Sequence, residues 1–502
     1  MENIATYHAS VAGDHRTVDD QTWQDLGMDE VFARIDRTTS APGRQILYHQ
    51  LRTYVDDDRV RAERARQQTV FRDDQTLREQ CQVWLARLNP AGGEWLASTL
   101  LNSFPEYPRF APLLYLCSFV SLACLVGIGF VHILLLPAML LMLINVTINV
   151  RYGQRILPFF SGFSQIVTLL GVGEKLAAIA DNHSLPQLEY LRKTTPMVAR
   201  LRKRLGWLAM DREAMPDLIQ SVYAYLNMLF LFDILVYLRS ISALQKHQAE
   251  LLGMLEAVGS LDSSIAVASF IQGLPAFTRP TLVADRRVEL VGVYHPLLTA
   301  PVRNSLSLTN RSALIAGPNM AGKTVFIRTV GINVILAQTL NLCLAEQAVL
   351  PRAMVRSAIR REDNLAGGQS YFFAEIQQIL EFTRTSGDGR QYLFLVDEIF
   401  RGTNTVERIA ASTAVLHRLG RQLVLATTHD VELQELLADA FDMFHFSDQV
   451  VGNTYGFDYR IHPGPARSRN AIKLLEISGY PKSIIDEAEK LTAPRVPPIE
   501  GG

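Results

Sequence analysis

The stretch SALIAGPNMAGKTVFIRTVG, residues 312–331, decides the fold class of the C-terminal part of this chain. A short apolar run enters the spacing G-x-x-x-x-G-K-T and is followed at once by a helical pattern. Glycines at these positions let backbone amides turn inward around phosphates, which predicts a strand, a phosphate-binding loop and a helix. Lys323 is expected to reach the β and γ phosphates of a nucleotide, and Thr324 to hold Mg²⁺. The predicted loop consists of Gly317, Pro318, Asn319, Met320, Ala321, Gly322, Lys323 and Thr324.

Two later apolar runs end in polar residues of the kind that such a site needs. QYLFLVDEIFRGTN, residues 391–404, closes on two carboxylates, which predicts that Asp397 orders Mg²⁺ and that Glu398 activates water for attack on the γ phosphate. LVLATTHDVEL, residues 423–433, ends its apolar run at His429, which is expected to sense the γ phosphate. A lone histidine is more often structural, but its place after two matching strands favours a function.

A glycine-rich segment, DNLAGGQSYFFAEIQQILEF, lies between these runs at residues 363–382, with Ser370 opening a helix. The N-terminus of a helix offers backbone amides to an anion, so this segment could bind phosphate. Because one nucleotide does not need two such loops from the same chain, Ser370 is expected to cap a nucleotide held by a partner subunit.

The overall composition and charge exclude few classes of function. Lys plus Arg (49) nearly balances Asp plus Glu (50), so no basic field makes nucleic-acid binding the default expectation, although DNA contact is not excluded. The four cysteines lack the spacing of metal ligands and are interpreted as apolar fillers in a reducing compartment. The polar, acidic N-terminus predicts no cleaved secretion signal.

Residues 110–150 form an uncharged apolar insert, which the binding of a nucleotide does not by itself explain. From Phe110 to Val150 there is no Asp, Glu, Lys or Arg, a length of roughly two bilayer spans. Two helices fit best, with the turn near Gly127, Gly129 and His132. We therefore expect residues 110–150 to contact the lipid bilayer as a transmembrane hairpin. A buried helical pair and a re-entrant hairpin are the alternatives.

The flanks of the insert suggest an orientation. Arg109 stands before it, and Arg151 and Arg155 follow it, so both ends are expected to face the cytoplasm. The expected location is the cell inner membrane, with the catalytic part on the cytoplasmic side.

Two more segments leave alternatives open. SVYAYLNMLFLFDILVYL, residues 221–238, contains Asn227 and Asp233, which favours a long soluble helix, although it could lie next to the bilayer. The basic patch VARLRKRLGW, residues 198–207, has three possible interpretations. It is a helix face exposed to solvent, or it contacts anionic lipid head groups, or it contacts a DNA backbone.

The spacing of apolar residues predicts a helical part, and the short β-rich runs after Pro280 predict that an α/β part follows. The fold class expected is thus multidomain α plus α/β, with helical regions, a helical hairpin and a P-loop domain. The predicted divisions are a helical core domain (1–104), the hairpin (105–152), a helical lever region (153–278), the P-loop domain (279–494) and a disordered tail (495–502).

The motifs GPNMAGKT, DNLAGGQS, VDEIFRGTN and TTHD, in this order, resemble the ATPase domain of the MutS mismatch-repair family, a branch of the ABC-type ATPases. Residues 29–57 are similar to the start of that family's helical core, and residues 459–491 to its closing helical region. The resemblance implies ATP and Mg²⁺ as ligands, ATP hydrolysis, and a homodimer formed through the ATPase domains. It also makes double-stranded DNA a candidate partner.

The departures from the family are as informative. There is no room for mismatch-reading and connector domains, the Phe-x-Glu wedge has no credible counterpart, and the hairpin stands where the family inserts a DNA clamp. The residues before Asn304 are APVR, so the aromatic residue that stacks on adenine in many members is absent there. The leading hypothesis is a membrane-anchored dimeric ATPase whose levers carry ATP-driven closure toward the membrane. The alternatives are a tethered DNA-binding protein of repair or recombination, and an ATP-dependent regulator of an unknown membrane partner that does not bind DNA.

Overall fold

A computed structural model describes residues 2–13, 16–88, 95–101, 108, 110–180, 182–205, 216–318, 320–359, 371–451, 454–466 and 479–492. The chain divides into two compact units. The helical unit comprises Met1–Asp14, Ile35–Gln50 and Arg66–Gly273, and the α/β unit comprises His15–Arg34, Leu51–Ala65 and Leu274–Gly502. These bounds differ from the predicted helical domain over 1–104, because two N-terminal segments belong to the α/β unit. The predicted tail at 495–502 lies outside the described residues.

The described residues before residue 274 are mainly helical. The helices are α1 (Glu2–Val11), α2 (Asp20–Asp25), α3 (Met28–Ile35), α4 (Ala41–Arg52), α5 (Asp58–Asp73), α6 (Gln75–Leu85), α7 (Trp95–Leu101), α8 (Ala111–Gly127), α9 (Leu135–Ala177), α10 (Pro186–Leu205), α11 (Asp217–Phe230), α12 (Phe232–Lys246) and α13 (Gln248–Gln272). One continuous cluster of buried apolar side chains joins α6, α7, the last part of α9, α10, α12 and α13. This cluster is the core of the helical unit.

The apolar insert forms two helices, α8 and the first part of α9, joined by a turn and a short 3₁₀ segment at His132–Leu134. Pro137 lies in the first turn of α9, where a missing backbone N–H costs little. By length and composition, His132–Arg151 could cross a membrane, and only 6% of that stretch is buried. Gln248–Gln272 passes the same test, but 78% of it is buried, which identifies it as a core helix. Membrane spanning by the insert stays a prediction.

The stretch 221–238 is not one long helix, as the sequence suggests, but parts of two. Helix α11 ends at Phe230, α12 begins at Phe232, and the two helices are bent by 71°. The break is at Leu231, whose φ of 54° is left-handed and is rare for a residue with a branched apolar side chain. No glycine or proline marks this break in the sequence.

The strands of the α/β unit form two sheets. They are β1 (Thr281–Val283), β2 (Arg287–Val293), β3 (Asn304–Thr309), β4 (Ser312–Ala316), β5 (Gln347–Pro351), β6 (Met354–Ala358), β7 (Tyr392–Asp397), β8 (Leu423–Thr428), β9 (Phe441–Val451) and β10 (Thr454–Pro463). Among the described residues, one sheet has the order β1-β5-β2-β3 and the other β10-β9-β4-β8-β7-β6. In the second sheet β9, β4, β8, β7 and β6 are parallel, and β10 is antiparallel to β9.

The remaining described helices of this unit are α14 (Lys323–Leu340), α15 (Tyr371–Thr385), α16 (Thr405–Leu419), α17 (Glu432–Leu436) and α18 (Lys482–Thr492). Of these, α14, α15 and α16 pack against the larger sheet. Strands β4 and β8 are buried along their whole length, which explains why their sequences are continuous apolar runs without alternation. The fold therefore places the ends of β4, β7 and β8 at one edge of the sheet.

The N-terminal residue Asp25 ties α2 to the larger sheet within the α/β unit. Its side chain is fully buried and accepts hydrogen bonds from the Ser357 hydroxyl at 2.7 Å and from the Ile359 backbone N–H at 2.9 Å. The Gln21 amide donates a third bond at 2.8 Å. These bonds fix the end of edge strand β6 and explain why residues 15–34 belong to this unit.

We expect Asp25→Ala to lower the free energy of unfolding of the α/β unit by about 2–4 kcal/mol, because it leaves two buried donors without an acceptor. Thermal unfolding of the full chain, followed by circular dichroism, measures the change. Glu30→Ala on neighbouring α3 is the control: Glu30 is exposed, and its loss should change stability by about 0.5 kcal/mol or less. Equal effects of the two substitutions would contradict a structural role for Asp25.

Candidate active site

Three strand ends bring the predicted site residues together. Register pairs Ala316 of β4 with Thr428 of β8, and Asp397 of β7 with Thr427 of β8. The loop after β4, the carboxylates at the end of β7 and His429 after β8 therefore lie side by side. The carboxyl edge of a parallel sheet is where α/β proteins bind ligands.

The loop after β4 has the backbone that its glycines predict. Gly317 has φ 139°, and a Cβ there would lie 2.5 Å from the carbonyl oxygen of Phe446, so only glycine fits. Gly322 has φ 103° and precedes the first turn of α14. The loop thus leads into the N-terminus of a helix, where backbone N–H groups can bind an anion.

Lys323 points back into the loop. Its Nζ donates to the carbonyl oxygens of Gly317 at 2.7 Å and Pro318 at 3.0 Å, and lies 3.3 Å from Nε2 of His429. Burial lowers the pKa of Lys323 to about 8, although the nearby carboxylates of Glu398 and Asp397 oppose that shift. A buried ammonium next to helix-terminal amides is suited to binding a phosphate group.

Thr324 and Asp397 provide a pair of oxygens suited to Mg²⁺. The Thr324 hydroxyl donates to Oδ2 of Asp397 at 2.9 Å, and Thr427 donates to Oδ1 of the same carboxylate. Mg²⁺ prefers oxygen ligands and takes most of them from water and phosphate, so one carboxylate and one hydroxyl fit this ion. Over the described residues, no cluster of three or more His, Cys, Asp or Glu side chains offers a protein-only metal cage.

Glu398 is held in a charged network at the end of β7. Its carboxylate contacts Nε2 of His429 and, at 2.8 Å, Nη1 of Arg401. Burial by itself raises the pKa of Glu398, but the bond to His429 and the charges of His429, Arg401 and Lys323 outweigh it and bring the pKa to about 2. The backbone of Glu398 is left-handed, with φ 53°, a conformation seen mainly where a site imposes it. Glu398 is therefore ionised at neutral pH and rigidly placed.

A small polar cavity of about 250 Å³ borders this network. Arg408 closes one side of it by a paired ion bridge to Asp430, with distances of 2.9 Å and 2.6 Å. Arg401, Arg408 and Asp430 were not among the predicted site residues. Their charge and their position next to VDE and TTH were the signals available in the sequence.

A second cavity, of about 330 Å³, lies on the other side of the phosphate-binding loop and is mainly apolar. Its aromatic lining comes from Tyr294, His295, Phe326, Phe446 and Tyr459. The Asn304 side chain joins β3 to β10 by donating to the Tyr459 carbonyl at 3.0 Å and accepting from the Ile461 N–H at 2.9 Å. Aromatic surface is thus present beside the loop although residues 300–303 supply none, and a purine base is the kind of group it suits.

The structure brings together Gly317, Gly322, Lys323, Thr324, Asp397, Glu398 and His429 of the predicted set. Pro318, Met320 and Ala321 lie in the same loop, with Met320 exposed and Ala321 buried. Asn319 and residues 363–370, which include Ser370, lie outside the described residues, so the predicted cap on a partner's nucleotide stays a prediction.

Comparison with known proteins points to one family. Residues 313–494 match MutS domain V. DNA mismatch repair protein MutS of Natronomonas pharaonis is 31% identical over 249 residues, which is 47% of this chain and 28% of that protein. The MutS proteins of Thermus thermophilus (30% over 231 residues, 45% of this chain and 28% of that protein) and Thermotoga neapolitana (33% over 268 residues, 49% and 32%) are similar to the same extent.

The matches span about a third or less of these relatives. The family match at residues 313–494 contains the three strand ends, the phosphate-binding loop and the lining of the small polar cavity. Sequence similarity and site geometry therefore agree that residues 313–494 form a domain of the MutS domain V type, and they support a relationship of the chain to the MutS family.

Proposed function

We propose that this chain is a MutS-like, Mg²⁺-dependent ATPase that hydrolyses ATP to ADP and phosphate, acts as a homodimer and is anchored in a membrane. The single observation that carries the ATPase proposal is the convergence of Lys323, Thr324, Asp397, Glu398 and His429 at three adjacent strand ends. Each group suits one task in phosphoryl transfer to water.

The division of tasks follows from the contacts. Lys323 and the loop amides would hold the phosphates, and Thr324 with Asp397 would hold Mg²⁺, which would supply charge neutralisation at the phosphate oxygens. Glu398 and His429 would face the γ phosphate and its attacking water. With a pKa of about 2, Glu398 is a weak base and acts mainly by orienting that water through a hydrogen bond. The aromatic cavity beside the loop accepts the base of the nucleotide.

Dimerisation completes the proposal for the nucleotide site. Ser370 of the partner subunit would cap the phosphates, so that ATP binds the closed dimer more tightly than the open one. A ligand shifts an equilibrium only by this difference in affinity. Closure would then drive the helical levers.

The anchor is supported by the surface of α8 and the first part of α9. Apolar side chains along both helices are largely exposed, among them Phe119 and Leu136, and a patch of this size is costly in water. Residues of α7 before the hairpin and of α9 after it pack in the same core cluster. Both ends of the hairpin would therefore lie on the same side of a membrane. Two crossings, one by each helix, agree with this arrangement. We propose the cell inner membrane, with the ATPase facing the cytoplasm.

The test is fractionation of cells that express the full chain, followed by an alkaline wash of the membranes. We expect the chain in the washed pellet, and we expect that pellet, solubilised in mild detergent, to hydrolyse Mg²⁺-ATP. A chain that stays in the supernatant without detergent contradicts the anchor. A pelleted, folded chain without hydrolysis contradicts the ATPase.

A tethered DNA-binding function is the second candidate, and helix α10 is the observation that favours it. Arg200, Arg202, Lys203 and Arg204 lie in its last turns and are exposed. Such a basic cluster suits phosphates of a DNA backbone or of anionic lipids. Duplex binding that falls steeply with salt, with or without ATP, would support this function; its absence would leave an ATP-dependent regulator of a membrane partner.

A further inference from the structure

The broken helix α11–α12 packs directly against the apolar hairpin within the helical unit. Two hairpin side chains donate hydrogen bonds to backbone carbonyls in the last turn of α11, just before the break at Leu231, and a third donates to a carbonyl within α12. Asn145 Nδ2 bonds to the Leu229 oxygen at 2.6 Å, Ser118 Oγ to the Phe230 oxygen at 2.7 Å, and Tyr115 to the Leu235 oxygen at 3.2 Å. Asn145 is fully buried, and its Nδ2 also donates to Ser121 at 2.9 Å.

The bonds to Leu229 and Phe230 give hydrogen-bond donors to carbonyl oxygens at the end of α11, which a broken helix inside lipid requires. A left-handed residue interrupts the helical ladder and frees carbonyl oxygens, which water would satisfy at an aqueous surface. Inside a bilayer no water is available, and a broken helix is tolerated only where protein groups replace the missing partners. The hairpin supplies such groups from both of its helices.

Within residues 221–238, the polar side chains that favoured a soluble helix form hydrogen bonds with one another. The Asn227 amide donates to Asp233 Oδ2 at 2.7 Å, the Asp233 backbone N–H donates to Asn227 Oδ1 at 2.9 Å, and Tyr223 donates to the other carboxylate oxygen. Polar side chains at membrane depth are expected to face the protein interior and to pair in this way. Asn227 and Asp233 therefore no longer exclude lipid around the outer face of α11.

That outer face of α11 is apolar and exposed. Large apolar side chains lie along the helix, with Tyr225 70% exposed. The exposed apolar members are Leu218, Ile219, Val222, Tyr225, Leu226 and Met228. This surface continues the exposed surface of the hairpin, because α11 contacts both α8 and α9. Helix α12, in contrast, buries Ile234, Tyr237, Leu238, Ile241 and Leu244 in the core of the helical unit.

We propose that α11 enters the bilayer beside the hairpin as a third, re-entrant membrane element, and that the chain returns to the aqueous side through the break at Leu231 and α12. This inference rests on the proposed membrane anchor. The elements α10 and α13 on either side pack in one core cluster, so α11–α12 has to enter and leave on the same side. The occupant of the exposed α11 face is therefore lipid acyl chains.

The test uses the full chain reconstituted in phosphatidylcholine–phosphatidylglycerol vesicles, with the four native cysteines, Cys81, Cys117, Cys124 and Cys343, replaced by alanine. Single cysteines are then introduced as Tyr225→Cys, as Leu143→Cys near the middle of the second hairpin helix, and as Val83→Cys on exposed helix α6 as an aqueous control. A charged, water-soluble maleimide is applied, and each rate is normalised to the SDS-unfolded protein. We expect the first two sites to react roughly tenfold more slowly than Val83→Cys, because a charged reagent does not enter hydrocarbon.

A second measurement leaves the chain unaltered. A lipid-soluble diazirine is activated in the same vesicles, and labelled peptides are mapped by mass spectrometry. We expect label in peptides covering 111–151 and 217–230, and none in 248–272, which is also a long apolar helix but is buried. Label and protection in both α11 and the hairpin support the inference.

The failures are distinguishable. If Leu143→Cys is protected and Tyr225→Cys reacts like Val83→Cys, the inference is wrong and the anchor stands. If α11 is protected but takes up no diazirine while the hairpin does, another part of the protein covers it and the inference is again wrong. If Leu143→Cys also reacts freely, the anchor fails, and the inference fails with it.

Discussion

Replacement of Glu398 by glutamine abolishes turnover but not nucleotide binding in the mechanism proposed here. The amide cannot carry the negative charge that orients a water molecule, and the loss of such a group lowers rates by about 10²–10⁴-fold. Because Lys323, Thr324 and Asp397 are untouched, ATP and Mg²⁺ still bind. We therefore expect a Glu398→Gln chain to accumulate as an ATP-bound dimer.

The measurements are single-turnover phosphate release and light scattering of the detergent-solubilised chain with Mg²⁺-ATP. Glu407→Gln is the matched control: Glu407 is exposed on α16, its carboxylate accepts a 3.1 Å hydrogen bond from the Thr403 hydroxyl, and its backbone N–H donates to Asn404 at the N-cap. It should leave both readouts unchanged. A Glu398→Gln chain that hydrolyses ATP at the wild-type rate, or that stays monomeric with ATP bound, would show that Glu398 has another role.

Three arginines placed on the exposed face of the hairpin should release the chain from the membrane. The substitutions are Phe119→Arg, Met139→Arg and Leu143→Arg, all at exposed positions. Each arginine near the centre of a spanning helix costs about 2.5–3.5 kcal/mol, so the set opposes insertion by about 7–10 kcal/mol. Flotation in a density gradient separates lipid-bound chain from soluble or aggregated chain.

The matched control carries three arginines at exposed apolar positions elsewhere, Val60→Arg, Val83→Arg and Val406→Arg. It adds the same charge and should float with the vesicles as the wild type does. If the hairpin variant floats equally well, α8 and the start of α9 do not contact the hydrocarbon region, and the anchor has to be sought elsewhere.

The site residues that directly follow a strand could be predicted from the sequence. Continuous apolar runs that end at Gly317, Asp397 and His429 predict buried parallel strands, and parallel strands carry their carboxyl ends to one edge. The motif spacing therefore predicted the neighbours that the structure shows, such as Thr324 with Asp397 and Lys323 with His429.

Features that depend on long-range pairing were not predictable in the same way. The aromatic lining from Phe446 and Tyr459 depends on β9 lying beside β4 and on β10 pairing with β9. The assignment of residues 15–34 to the α/β unit depends on buried Asp25. The break at Leu231 has no glycine or proline, and its stability comes from side chains on α8 and α9 that are remote in sequence.

Helix α9 is continuous from Leu135 to Ala177, which gives a rod about 65 Å long. Its first part carries the exposed apolar surface, and its last part is fixed in the core of the helical unit. A tilt of about 10° at one end moves the other by about 11 Å if the helix stays straight. If the first part of α9 crosses a bilayer as proposed, this rod connects the membrane mechanically to the helical core: a change in bilayer thickness would tilt the core end of the helix, and a movement of the core would deform the membrane.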